Sequence, residues 1–407
     1  MGAYGLLGEK LGHSFSPRIH ALLGDTPYDL YEKRPEELED FLLRGGLDGM
    51  NVTIPYKKAV MPYCAALTET AARIGSVNTL VRRKDGTLLG DNTDYYGFDC
   101  LLRYAGMDPK GEKVLVLGNG GASLTVQTVL RDRGAGQVVV ISRSGENHYE
   151  NLHLHADATM IVNTTPVGMY PHVGKSPVDL QMFPLCKAVA DLIYNPARTA
   201  LLLQAEELGI PCTGGLVMLV AQAMRSAEQF LHRDFSDRVM EKILCTLSKE
   251  TENIILIGMP GCGKSSLGRR LAEELGREFV DADQEVVREA GKSIPDIFAA
   301  EGEKGFRKRE TEVLRRLGSA SGLVIATGGG CVTREENKPL LRQNGKLIWI
   351  RRPVSLLPTH GRPLSQSGDL EEMAKARMPL YAEFADHIVE NTASPEEALR
   401  KLREVCL

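Results

Sequence analysis

The chain has 407 residues, 43% of them hydrophobic, 25% charged and 6% aromatic, which is a globular composition long enough for two or three domains. A net charge of −4 supplies no basic footprint for nucleic acid or for an anionic membrane, and neither is expected as a partner. Eight cysteines without a C-x-x-C pair fit reduced thiols in a cytoplasmic protein, not a disulfide frame or a zinc site, and no apolar run reaches transmembrane length.

Tyr4-Gly5-Leu6-Leu7-Gly8 reads as a short strand, and a helix is predicted from Arg18. Before it stand Ser14 and Ser16, with Pro17 in the first turn. That is a good N-cap arrangement, and two hydroxyls on alternate positions also suit a polar anion. Gly49 to Thr53 forms a strand that ends at Pro55, with Lys57 just beyond. Gly75 to Leu80, carrying Asn78, forms another. Gly90-Asp91-Asn92-Thr93-Asp94 is a polar loop leading into a helix, where Asp94 alone would be an ordinary cap.

A new pattern begins after Gly111. Lys113 to Leu117 is a buried strand, Gly118-Asn119-Gly120-Gly121-Ala122-Ser123 a glycine turn, and Gln137 to Ile141 a second strand beyond a helix. This is a dinucleotide-binding βαβ unit whose third glycine is replaced by Ser123. A ribose-binding acid would end the second strand in an NAD site. Here Ser142-Arg143-Ser144 follows, and a guanidinium flanked by hydroxyls suits a 2′-phosphate, so NADP is expected.

Met160 to Met169 and Val189 to Pro196 read as later strands of the same sheet with loops at their carboxyl ends. Gly214-Gly215 opens a long amphipathic helix through Met218 and Gln222, and a last helix is predicted from about 234 to 247. The polar stretch 248–253 reads as a linker.

Beyond it stands the most specific motif in the chain. Ile254 to Ile257 is a strand, Gly258-Met259-Pro260-Gly261-Cys262-Gly263-Lys264-Ser265 matches G-x-x-x-x-G-K-S, and a helical pattern runs on from Ser266 and Leu267. Such a loop turns backbone N–H groups around the phosphates of ATP. Its lysine reaches the outer phosphates and its serine hydroxyl ligates Mg2+. Cys262 reads as a small residue at a permissive position.

Taken in order, Ser14-x-Ser16, Asn51-Val52-Thr53-Ile54-Pro55-x-Lys57, Val77-Asn78-Thr79, Asp91 to Asp94, the glycine turn and Met218-Leu219-Val220-Ala221-Gln222 resemble shikimate dehydrogenases over about residues 1–247. Residues from about 253 to 407 resemble shikimate kinases. They carry the P-loop, Asp281-x-Asp283, Phe306-Arg307-x-Arg309-Glu310, Thr327-Gly328-Gly329-Gly330, Gly361-Arg362-Pro363-Leu364 and Arg377-x-Pro379-Leu380-Tyr381. The resemblance implies a bifunctional enzyme of chorismate biosynthesis. It would reduce 3-dehydroshikimate with NADPH and then phosphorylate shikimate with ATP. A quinate dehydrogenase or a non-catalytic shikimate sensor is the alternative for the first half.

The same resemblance implies that Ser14, Ser16 and Tyr194 hold the substrate carboxylate while Thr53, Asn78 and Gln222 meet its hydroxyls. Lys57, as an ammonium, and Asp94 would supply the proton and hold the hydroxyl. Gly215 and Met218 fall on the nicotinamide side, in a Gly-Gly-Leu-Val-Met run where the family commonly has Gly-x-Gly-Leu-Gly-Met. In the kinase, Asp281 would serve Mg2+ and Asp283 the attacking hydroxyl. Arg307 and Arg377 would clamp the carboxylate, and Gly329 would let the ring approach the backbone. The lid around Arg362 is shorter and less basic than usual, leaving that arginine to meet ATP. The expected architecture is α/β throughout. A substrate lobe (1–97 with 215–247) and a Rossmann-like NADP lobe (98–214) precede a P-loop kinase domain of the nucleoside-monophosphate-kinase type (254–407).

Overall fold

The computed structural model describes residues 3–12, 14–24, 27–44, 46–357 and 370–406. The chain divides into two compact units. One comprises residues 1–167, 176–194 and 204–246, the other 168–175, 195–203 and 247–407.

The first unit holds two sheets. Strands β1 (Tyr4–Gly8), β2 (Tyr28–Glu32), β3 (Gly49–Val52), β4 (Ala66–Leu67), β5 (Thr79–Arg82) and β6 (Leu88–Asp91) pair in the order β2-β1-β3-β5-β6-β4. β1 runs parallel to β2 and β3, whereas β5 is antiparallel to both β3 and β6. Successive residues of a strand face opposite sides. Leu7, Val52 and Leu80 therefore enter one core cluster, and Leu6 joins Tyr28 and Phe230 in another. The second sheet, β7 (Lys113–Leu117), β8 (Gln137–Ile141), β9 (Met160–Asn163), β10 (Ala188–Asp191) and β11 (Cys212–Thr213), is wholly parallel in the order β11-β10-β9-β7-β8. Its central strands are apolar and buried, as helix-covered parallel strands are.

The helices in this stretch are α1 (Ser16–Leu23), α2 (Leu38–Arg44), α3 (Glu69–Ile74), α4 (Thr93–Tyr104), α5 (Gly121–Asp132), α6 (Ala200–Glu207), α7 (Leu216–Leu231) and α8 (Asp237–Thr251). α4 and α7 cross closely because Gly97 carries no side chain. A Cβ there would lie 2.7 Å from the Met218 carbonyl oxygen and 3.0 Å from the Gln222 Cβ. α8 starts later than the predicted helix and continues through Ser248 to Thr251, most of the stretch read as a linker. Nothing in that stretch breaks a helix. Its last carbonyls are met by the Arg277 guanidinium, which donates to the Lys249 oxygen and, at 2.8 Å, to the Glu252 oxygen. Of the eight unpaired cysteines, only Cys245, on α8, is exposed.

The second unit is built on a parallel sheet of β12 (Asn253–Ile257), β13 (Phe279–Asp281), β14 (Val324–Ala326), β15 (Gly345–Arg351) and β16 (His387–Glu390), ordered β13-β14-β12-β15-β16. β12 is central and buried at every residue. Helices α9 (Lys264–Leu275), α10 (Ala282–Ala290), α11 (Ile294–Ser319) and α12 (Asn337–Arg342) follow, then Leu370–Phe384 and Pro395–Cys406. Residues 195–203 belong to this unit. The Ala197 N–H donates to the Asn344 side-chain oxygen at 2.7 Å, and the Arg198 guanidinium to the Gly345 carbonyl at 2.6 Å. With β14 and β15 on opposite sides of β12, the carboxyl end of β12 is the switch point where open α/β sheets bind ligands.

Candidate active sites

In the first unit, the loop after β3 and the first turn of α4 bring Lys57 and Asp94 together, Nζ to Oδ2 at 2.5 Å. Their side chains are 22% and 12% exposed, so the pair is shielded yet reachable. The Lys57 carbonyl accepts the Val77 N–H at 2.8 Å, which places Asn78 beside it. The Asn78 side-chain oxygen is occupied by the Thr93 N–H at 2.7 Å, fixing the start of α4. Its amide nitrogen makes no hydrogen bond among the described residues and is the group left for a ligand. Gln222 lies on α7 where Gly97 meets it, one turn along α4 from Asp94. The Thr53 backbone donates to the Leu7 carbonyl at 2.9 Å, and its methyl group packs over Gly8.

Ser14 and Ser16 depart from simple capping. α1 has Phe15 as its N-cap and no side-chain capping bond. The Ser14 hydroxyl accepts the Ser16 N–H at 3.2 Å, and the Ser16 hydroxyl caps nothing. Tyr194 stands against this loop, its ring 5.3 Å from that of Phe15. Burial pushes the Tyr194 hydroxyl pKa up, so it remains a neutral donor. Gly215 donates to the Ile193 carbonyl at 2.9 Å and seats α7 against the same segment. A Cβ there would be 2.0 Å from the Leu192 oxygen. Met218 is buried in the first turn of that helix.

The glycine turn bends at Gly118, whose φ of +103° and contact with Thr164 demand glycine. Gly120 faces open space, and a Cβ on Gly121 would stop 4.0 Å from the Ser76 hydroxyl. A bound pyrophosphate needs such a side-chain-free approach, and half-buried Ala122 continues it into α5, so these residues fit NADP. Ser123 is fully buried and its hydroxyl accepts from the Gln127 amide at 3.0 Å. The Ser142 hydroxyl donates to the Ser144 carbonyl. Arg143 remains exposed and makes no hydrogen bond or ion pair among the described residues.

In the second unit, Gly258, Gly261 and Gly263 adopt φ of 141°, 83° and 106°, a left-handed path that side chains disfavour. Lys264 folds back over the loop, Nζ donating to the Gly258 and Met259 carbonyls at 2.8 and 3.0 Å. The Ser266 hydroxyl donates to the Gly263 carbonyl at 3.0 Å. The Ser265 hydroxyl donates to Asp281 Oδ2 at 2.7 Å, while Asp281 Oδ1 accepts the Asp283 N–H at 3.1 Å and caps α10. A hydroxyl and a carboxylate side by side are the hard oxygen donors that Mg2+ takes. Cys262 is wholly buried, its carbonyl held by the Asn391 amide at 2.8 Å, which makes it a packing residue.

Gly328 to Gly330 form the hub of the rest. A Cβ on Gly328 would lie 2.6 Å from both Asp283 Oδ1 and Glu310 Oε1. On Gly329 it would strike Pro260 of the P-loop, and on Gly330 it would sit 2.1 Å from Arg307. The Gly329 carbonyl accepts from Arg377 Nη1 at 3.2 Å and from the Tyr381 hydroxyl. Asp283, Arg307 and Arg377 thus surround one backbone segment beside the P-loop. Glu310, part of the quoted motif but assigned no role, is the residue that sequence reasoning missed. It is fully buried and pairs with Arg307 Nη1 at 2.8 Å, and burial pushes its carboxyl up against the opposing pull of Arg307. Its three-residue spacing from Arg307 on a helix was the available signal. Arg362 lies outside the described residues.

Both parts of the chain match known protein families. Residues 6–80 match the family model for the shikimate dehydrogenase substrate binding domain, and residues 260–406 match that for shikimate kinase. A shikimate dehydrogenase (NADP(+)) of Clostridium perfringens is 34% identical, the alignment covering 60% of this chain and 99% of that protein. Among solved structures, a chorismate mutase/shikimate 5-dehydrogenase fusion protein from Clostridium acetobutylicum is 37% identical with a TM-score of 0.58, covering 61% of this chain and 97% of that one. Shikimate 5-dehydrogenase from Thermus thermophilus, solved with NADP(H) and shikimate, is 31% identical with a TM-score of 0.55, covering 60% of this chain and 99% of that one. By its first three-fifths the chain belongs to the shikimate dehydrogenase family, and it carries a shikimate kinase domain after it.

Proposed function

We propose that the chain reduces 3-dehydroshikimate to shikimate with NADPH in its first unit and phosphorylates shikimate with ATP in its second. The product of one reaction is then the substrate of the other. The observation that carries the reading is the Lys57–Asp94 pair, an ammonium and a carboxylate in contact beside the unspent amide of Asn78. As the ketone oxygen gains negative charge, Lys57 donates a proton to it, and Asp94 orients the ammonium and accepts from the hydroxyl that forms. Thr53, Asn78 and Gln222 hold the ring hydroxyls, and Ser14, Ser16 and Tyr194 the carboxylate. Gly118 to Ala122 and Arg143 would hold NADPH, with Arg143 meeting its 2′-phosphate, and when bound it would supply the hydride.

In the kinase, Lys264 leaves the loop carbonyls for the outer phosphates of ATP, and Asp283 accepts the proton of the attacking hydroxyl. Arg307 and Arg377 grip the carboxylate in fork geometry, with Glu310 holding Arg307 in place. Ser265 and Asp281 would ligate Mg2+, which neutralises phosphate charge when bound. The test follows NADPH formation from shikimate and NADP+, then ATP-dependent formation of shikimate 3-phosphate, with one purified chain. A chain that performs neither reaction overturns the reading. A chain that oxidises quinate in preference to shikimate reassigns the first site.

A further inference from the structure

The loop Gly90 to Asp94 contributes Asp94 to the chemistry proposed above, but its second residue is placed with equal care. Asp91 ends β6, pairs across the sheet with Thr79, and accepts the Asn78 N–H on its carbonyl at 3.0 Å. Its carboxylate is divided between two other elements. Oδ1 accepts from the Thr68 hydroxyl at 2.5 Å, and that hydroxyl also caps α3 by accepting the Ala71 N–H. Oδ2 accepts from Gln229 Nε2 at 2.6 Å. The nearby guanidinium of Arg225 is engaged by Glu228 at 2.9 Å, so the carboxylate is committed to neutral donors.

Gln229 stands seven residues after Gln222 on α7, which is two turns along the same helical face. Asp91 therefore links the helix that carries Gln222 to the end of β6, whose carbonyl holds the Asn78 N–H and which leads, three residues on, to Asp94. Gly97 lets α4 and α7 approach closely. The Asp91–Gln229 bond adds a polar tie from α7 to the end of β6, one turn from the bond that the Ser226 hydroxyl donates to Asn51 Oδ1 at 3.3 Å. We infer that Asp91 is a positioning residue for the dehydrogenase. It sets the spacing between Gln222 and the Asn78–Asp94 group, and so governs how tightly the ring hydroxyls of the substrate are held. This inference rests on the dehydrogenase reading of the same site.

The experiment is steady-state kinetics of shikimate oxidation by the full chain. Asp91→Ala should raise KM for shikimate about tenfold, the effect of losing a charge-assisted hydrogen bond, with kcat and the KM for NADP+ changed by less than about threefold. Asp91→Asn keeps an acceptor toward Thr68, and an amide flip of Gln229 restores the second bond, so it should recover most of the wild-type KM. Gln229→Leu severs only the α7 side and should reproduce the rise, which covers the case of an Asp91→Ala chain that fails to fold. A native circular-dichroism spectrum of each preparation reports that the chain is folded. An unchanged shikimate KM in both Asp91→Ala and Gln229→Leu, or parallel rises for shikimate and NADP+, overturns the assignment. A wild-type chain that oxidises no shikimate overturns the dehydrogenase reading itself, and the assignment with it.

Discussion

The Lys57 ammonium and the Asp94 carboxylate, 37 positions apart in the chain, meet at 2.5 Å. One is on a loop after a strand and the other in the first turn of a helix, so neither position alone defines the pair. Replacing Lys57 by Met removes the proton donor but keeps an apolar stem of similar length. NADP-linked turnover should fall by about 10²–10⁴, the usual contribution of a positioned acid. ATP-dependent phosphorylation by the same chain should be unchanged, and Lys264→Ala should show the reverse pattern. Assaying both activities on each purified variant checks this. Joint loss in a variant with a native circular-dichroism spectrum would contradict two independent sites.

Cofactor choice should follow Arg143. It is exposed and unpaired at the end of β8, where the second Rossmann strand meets the adenosine ribose. Arg143→Ala should weaken NADP+ by about ten- to hundredfold, equivalent to losing about 1.5–3 kcal/mol of charge-assisted bonding, and affect NAD+ little. Titration of both cofactors decides the matter, because equal losses would remove Arg143 from the phosphate.

The triglycine segment should tolerate no side chain. Gly330→Ala places a methyl group 2.1 Å from the Arg307 guanidinium, whose Nη1 is already committed to Glu310. The clash must displace the Arg307 guanidinium, one arm of the carboxylate clamp proposed above. The kinase KM for shikimate should therefore rise by about tenfold or more, with the KM for ATP nearly unaltered. An ATP defect of the same size would mean that the segment serves the P-loop instead.

Acid should loosen the first unit through His20. That ring stacks on Tyr28 at 3.8 Å, lies near Phe230, and has no partner for Nε2 among the described residues. Burial lowers its pKa from 6.5 to about 3. The unfolded chain binds the proton below 6.5 while the folded chain does not, so stability falls as pH drops through that window. The loss approaches about 1.4 kcal/mol per pH unit. Urea unfolding of the wild type and His20→Phe at pH 7 and pH 5 should show the stability difference between them shifting by about 2 kcal/mol in favour of the variant at pH 5. A pH-independent difference would mean that His20 does not carry this acid sensitivity.

Lys264 and Ser265 sit in a local pattern whose spacing is itself legible in the sequence, and the structure gives that loop its left-handed glycines and seats Ser265 beside Asp281. Side-chain direction was harder. Ser142 and Ser123 carry hydroxyls in the expected places, but a local carbonyl and Gln127 claim them. Gln229 reaches Asp91 across 138 positions, a distance at which a single sequence holds no pattern. The end of α8 escaped notice for the same reason, since the arginine that caps it lies 28 residues from Lys249. The excursions of 168–175 and 195–203 into the second unit likewise depend on which surfaces meet, and no periodicity encodes that.

The cysteine distribution has a practical consequence. Cys262 and Cys331 are sealed inside the second unit, and burial pushes the Cys331 thiol up to about 12. Cys245 is exposed on α8, while Cys64, Cys186, Cys212 and Cys406 are half-buried. A maleimide dye at limiting stoichiometry should therefore attach first at Cys245, giving single-molecule fluorescence on this chain a preferred labelling point.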